Sequence, residues 1–235
     1  MKRQQWGLWL TAVCCIAALC VSLPRVKQAD ATLRAESQPY VLIDPGHGGA
    51  DGGATGTDGT QEKTVNLAVS RTLFSLLRVM GVPTGITRTD DRSIHAPDAT
   101  TLREQKVSDM HNRLALYNKA TLVVSIHQNH FSQSKYSGAQ VFCSPGNPQS
   151  RPLGEEIRAA VIGLLQPDNT RQLKTADDSV FLLANTKTPA VLVECGFLSN
   201  PAECEKLADT TYRRQMAFAV ASGVFSFFQS TNSLL

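Results

Sequence analysis

Two histidines and two carboxylates stand where they could hold and use a metal ion. His47 lies in Asp44-Pro45-Gly46-His47-Gly48-Gly49, directly after the apolar run Val41-Leu42-Ile43. His127 closes Leu122-Val123-Val124-Ser125-Ile126, and Glu194 closes Ala190-Val191-Leu192-Val193. In an open α/β sheet the crevice at the carboxyl ends of the strands is where ligands bind. A catalytic zinc usually takes three protein ligands and keeps a fourth position for water. Two imidazoles and a carboxylate delivered to such a crevice from distant parts of the chain have the make-up of a metal-dependent hydrolase.

Each residue also has a plainer reading. His47 fits a solvated loop, and His127 fits a core histidine at a strand end. Glu62 follows the Gly-rich loop of residues 46–59 and opens a helix, so it can swing back over His47 as a third ligand; the helix dipole alone also favours an acid there. Glu194 is costly to desolvate without a partner. That partner is either a water whose proton it removes as general base or an arginine, Arg88 or Arg113. Arg88, closing Thr87-Arg88, could bind an anionic substrate group or pair with Asp44 or Asp90. Asn129 follows His127 closely enough to line the cleft, with His130 beside it, whereas His95 and His111 lie in polar, solvated settings.

The elements that must position these residues alternate. A strand over 41–44 is followed by a helix from Glu62, in which Val65, Val69, Leu73, Leu77 and Met80 form a stripe at helical spacing. Val82–Thr87 reads as a strand, 90–108 as polar loop, Asp109–Ala120 as a helix and Leu122–His127 as a strand. Gly138–Cys143 is a further strand, Leu153–Leu165 a helix, Val180–Ala184 a short strand, and Thr210–Phe228 the closing helix. Such alternation predicts a single α/β domain over 40–230 with helices on both faces of the sheet.

Composition agrees: 42% hydrophobic and 18% charged is ordinary for a globular chain. The formal net charge of +3 comes from Lys2, Arg3, Arg25 and Lys27 against Asp30, leaving a neutral remainder and no basic nucleic-acid footprint. Lys2 and Arg3 precede an uncharged apolar run from Trp6 to Leu23, so residues 1–31 read as a signal peptide or an uncleaved membrane anchor, and 32–39 as a linker. The domain is therefore expected outside the cytoplasm. Cys14, Cys15 and Cys20 belong to the apolar segment. Cys143, Cys195 and Cys204 form neither a disulfide framework nor a Cys-x-x-Cys zinc motif, and read as buried small hydrophobes.

Four blocks together carry a resemblance: Asp44-Pro45-Gly46-His47-Gly48-Gly49, Glu62 with Asn66-Leu67, Ser125-Ile126-His127, and Val193-Glu194-Cys195-Gly196-Phe197-Leu198-Ser199-Asn200. Over about residues 40–228 the chain resembles the zinc-dependent N-acetylmuramoyl-L-alanine amidases of the amidase-3 type. The resemblance implies a phosphorylase/hydrolase-like fold with a mixed, mostly parallel sheet. It implies His47, Glu62 and His127 as ligands of Zn2+, Glu194 as the catalytic carboxylate, and peptidoglycan as substrate, cut between N-acetylmuramic acid and L-alanine. Ser125-Ile126-His127-Gln128-Asn129 with Gly138-Ala139-Gln140-Val141-Phe142 looks like the germination-specific spore-cortex branch of endospore formers, which implies a role in sporulation and a place in the forespore intermembrane space. His130 departs from the small residue of that branch.

Between His127 and Ser150 there is no room for the long inhibitory helix of division-associated relatives, and no wall-binding repeat accompanies the catalytic part. Control is then expected from the membrane segment, from timing, or from an activating partner protein; Phe225, Phe227 and Phe228 of the last helix are either a contact for it or, the favoured reading for each ring, packed into the core. A zinc peptidase acting on wall peptides and a non-catalytic peptidoglycan-binding protein are the alternative functions.

Overall fold

A computed structural model describes residues 40–231. Strand β1 (Val41–Pro45) is buried along its whole length, as are the apolar parts of β3 (Leu122–Asn129) and β6 (Ala190–Phe197). Continuous apolar runs of this kind suit strands covered on both faces. With β2 (Thr84–Ile86), β4 (Gln140–Cys143) and β5 (Lys174–Thr175) they form a six-stranded sheet in the order β2-β1-β3-β6-β4-β5. All neighbours are parallel except β4, which runs antiparallel to β6.

Helices α1 (Glu62–Val79), α3 (Ser150–Leu164) and α6 (Thr210–Ser230) cover one face, where Val41, Ile43, Val124 and Ile126 meet Val65, Val69, Leu73 and Leu77. The other face carries α2 (Leu102–Tyr117) and α4 (Phe181–Asn185), packed on Leu42, Val123, Ala190 and Leu192. Cys143, Cys195 and Cys204 are free and buried, as small hydrophobes are.

Several elements differ from the sequence expectations. Helix α2 begins at Leu102 rather than Asp109, on a capping box in which Thr101 accepts from Glu104 N and the Glu104 carboxylate accepts from Thr101 N. Its first turns are polar because that part of the helix is exposed, with Leu102 and Val107 facing solvent. Residues 181–185 are helical where a strand was expected, and the edge strand is Lys174–Thr175 instead; a five-residue apolar run does not distinguish the two. Helix α5 (Pro201–Ala208) was not expected, although Asn200 caps it and Pro201 occupies its first turn. Met80 leaves the α1 stripe and sits at the helix end before Gly81, whose φ is 82°.

On α6, Phe227 and Phe228 pack in the core and Phe225 is half-buried, in line with the core reading rather than the partner contact. The exposed aromatic ring of that helix is Phe218. The signal or anchor at 1–31 and the linker at 32–39 lie outside the described residues. Among the described residues no helix is long and apolar enough to cross a membrane.

Candidate metal centre

Parallel pairing of β1 with β3 brings Pro45 level with Ile126, and Gly46 N donates to the Ile126 carbonyl at 3.0 Å. The loop beyond β1 therefore leaves the sheet beside His127. Gly46 has to be glycine, because a Cβ there would lie 2.2 Å from the His127 ring. His47 follows with φ 61°, in the left-handed region. Its ring meets that of His127 edge-on, with centroids 5.0 Å apart.

Glu62 closes the group from the first turn of α1. Its Oε1 lies 2.9 Å from His127 Nδ1 and 3.2 Å from His47 Nε2. One ligand atom from each of His47, Glu62 and His127 falls within 4.8 Å of the others. Backbone and amide donors fix the carboxylate: Ala54 N reaches Oε2 at 2.8 Å, while Gln128 N at 3.1 Å and Asn66 Nδ2 at 3.3 Å reach Oε1. Gln128 Nε2 in turn donates to Asn66 Oδ1 at 3.0 Å. Burial raises the Glu62 pKa, but the hydrogen bonds to His127 and His47 outweigh it and leave it lowered.

Asp51, which the sequence reading missed, holds the far side of His47. Its Oδ2 is 2.9 Å from His47 Nδ1, and Lys106 on α2 pairs with its Oδ1 at 3.1 Å. A carboxylate behind an imidazole fixes the ring and raises its basicity, the usual support of a metal-binding histidine. Burial lowers the His47 pKa, yet the hydrogen bonds to Asp51 and Glu62 push it up to about 9.

Glu194 stands level with His127 on the neighbouring strand. Its Oε2 is buried and has no hydrogen-bond partner in the protein. Burial and the nearby Glu62 charge push its pKa up to about 8. Neither arginine neutralises it. Arg113 pairs with Asp44 and Asp109. Arg88 is buried, and its nitrogens donate to the carbonyls of Pro45, Gly46, Lys63 and Asp90. This corrects the expectation that Arg88 binds substrate: it clamps the backbone of the loop that carries His47. Asn129 is half-buried at the end of β3, past an irregularity in its pairing with β6. His95, His111 and His130 stay outside the cluster.

An orphaned carboxylate oxygen beside two imidazoles and a second carboxylate is a donor set that fits a divalent cation such as zinc. The family model for N-acetylmuramoyl-L-alanine amidases of the Amidase_3 type matches residues 41–226. The chain belongs to that family. The germination-specific N-acetylmuramoyl-L-alanine amidase of Bacillus subtilis is 33% identical over 195 residues, covering 82% of this chain and 81% of the relative. The AmiA amidase of Salmonella typhimurium is 28% identical, covering 84% and 78%. Among solved structures, the CwlD amidase of Clostridioides difficile, in complex with the GerS lipoprotein, superposes with a TM-score of 0.79 at 36% identity, covering 82% of this chain and all of that one. The amidase thus shares with these relatives the fold that sets its strand-end cluster, and its substrate is peptidoglycan.

Proposed function

We propose that this amidase is exported and zinc-dependent, that His47, Glu62 and His127 hold the ion, and that Glu194 is its general base on the muramoyl–L-alanine amide of peptidoglycan. The unpartnered Oε2 of Glu194, level with His127, is the observation that supports this reading most. When bound, zinc supplies Lewis-acid polarisation of the scissile carbonyl and activation of a water. Asp51 holds the Nδ1 side of His47, and Gln128 N, Asn66 and Ala54 N hold Glu62. Glu194 takes the water proton on a carboxylate oxygen and returns it to the departing nitrogen of L-alanine. A cation close by favours its ionised form, lowering the pKa that burial raises in the bare protein. Asn129, half-buried at the end of β3, would hydrogen-bond the substrate.

The likeness to a germination-specific amidase supports spore cortex as the wall this protein acts on, and with it a role in sporulation. The apolar segment in residues 1–31 supports export, as a signal or a membrane anchor, with residues 40–230 as the catalytic domain. The lipoprotein in complex with the CwlD relative supports an activating protein partner here.

The test is digestion of purified cortex and vegetative peptidoglycan by the zinc-loaded protein, with product masses read out. Release of stem peptides beginning at L-alanine, lost on chelation and restored by zinc, is the expected result. Products cut within the peptide would make the protein a zinc peptidase, and none at all a binding protein.

A further inference from the structure

Because β4 runs against β6, its first residue, Gln140, pairs with Glu194, and the segment before it lies at the catalytic edge of the sheet. Beside it opens a groove of about 800 Å³ between the 135–138 segment, residues 165–171 and helix α5. Phe197, against whose ring the groove residues Arg171 and Tyr136 pack, is three residues past Glu194 on β6, or roughly 10 Å along the strand.

The groove carries Lys135, Arg171 and Lys206. Lys63 and Lys106 pair with Asp91 and Asp51, but among the described residues Lys135 and Lys206 have no carboxylate partner. Lys135 instead lies 5.5 Å from the Tyr136 ring centre. Arg171, which lines the groove, sits 4.6 Å over the Phe197 ring and donates through Nε to the Ser137 carbonyl at 2.7 Å. Two carboxylates border the same space. Glu203 is turned inward, accepting from Gly138 N and Phe197 N at 2.8 Å each, and Asp168 is the other.

We propose that this groove is the subsite for the peptide arm that leaves with L-alanine, and that it recognises the arm's free carboxylates. The inference rests on the muramoyl-amide reading above. The lactyl and sugar side of the scissile bond offers no charge for lysines to meet, whereas the peptide side carries carboxylates. The roughly 10 Å from Glu194 to Phe197 beside the groove fits a carboxylate two or three residues beyond the scissile amide. Tyr136, edge-on to the exposed Phe131 and stacked near Phe197, gives the arm an apolar wall. The same contacts make the released stem peptide a product that lingers.

The test measures binding of the free stem tetrapeptide to the full-length protein by calorimetry, in wild type and in the double variant Lys135→Gln/Lys206→Gln. Binding that weakens about fivefold or more in the variant, and that weakens with added salt in wild type, is expected. KM for a muramoyl-tetrapeptide should rise by a similar factor, while KM for muramoyl-L-alanine, which lacks the arm, stays unchanged. Equal affinity and equal KM in variant and wild type would overturn the proposal, as would salt-independent binding of the tetrapeptide by wild type. Peptide binding is read without turnover, so an inactive protein that still binds the peptide through these lysines would fault the amidase mechanism and not the groove.

Discussion

Arg113 donates through Nη2 to the carbonyl of His47 at 2.9 Å and through Nη1 to the buried carboxylate of Asp44. One guanidinium on α2 therefore fixes both the end of β1 and the loop that presents the His47 imidazole. Tyr117 OH at 2.7 Å and Thr87 Oγ1 at 2.6 Å complete the shell of Asp44. Arg113→Met leaves that carboxylate buried and short of its counter-charge, a change that costs about 3–5 kcal/mol. Denaturant unfolding should report this loss, and zinc affinity should fall with it as the His47 loop slackens. Full stability in Arg113→Met would show that Tyr117 and Thr87 suffice.

The same network sets a response to acid. Burial raises the Asp44 pKa, but the Arg113 charge and the hydrogen bonds from Thr87 and Tyr117 outweigh it, so the folded value is lowered. A lowered folded pKa stabilises the protein above the ordinary carboxylate range, and that contribution disappears as pH falls through the folded value. Stability of the metal-free protein should therefore decline below about pH 4. Asp44→Asn should be less stable than wild type at pH 7 and should close part of that gap on acidification. Unfolding curves run in parallel for the two proteins decide this.

At the cluster, alanine at His47, Glu62 or His127 should lower zinc occupancy after dialysis, measured by metal analysis. Gly46→Ala should do the same without removing a ligand, since its Cβ would occupy the space of the His127 ring. Asp51→Asn should keep the ligands and weaken zinc affinity by about 10–100-fold, the usual cost of losing the support behind a ligand histidine. Unchanged affinity in Asp51→Asn would assign that residue to loop structure alone.

Glu194→Gln should retain zinc and fold while losing turnover by about 10²-fold or more. Metal analysis and steady-state rates on one preparation separate the two effects. Retained turnover would place the base elsewhere.

Much of this was legible in the sequence because the strands that carry the site are continuous apolar runs ending on polar residues. His47, His127 and Glu194 needed only the strand-end rule to be brought together. Glu62 needed α1 to begin where its stripe begins, which it does. Asp51 and Lys106 were invisible: one lies in a loop without periodicity, the other on a polar helical stretch whose capping box at Thr101 and Glu104 was overlooked. Arg88 misled for the opposite reason. Its side chain disappears under the backbone of a glycine-rich loop, and nothing local in the sequence announces that a loop needs an internal clamp.

The reversed direction of β4 has an evolutionary corollary. It places the β3–β4 connection, residues 130–139, along the working rim, and the Ser144–Gln149 turn at the opposite end of the sheet. Extra sequence grafted into the first connection would alter access to the reaction centre and leave the core untouched. An equal length added to the second would pass without effect on substrate choice. The protein thus has one edge on which specificity can diversify and another that can absorb drift.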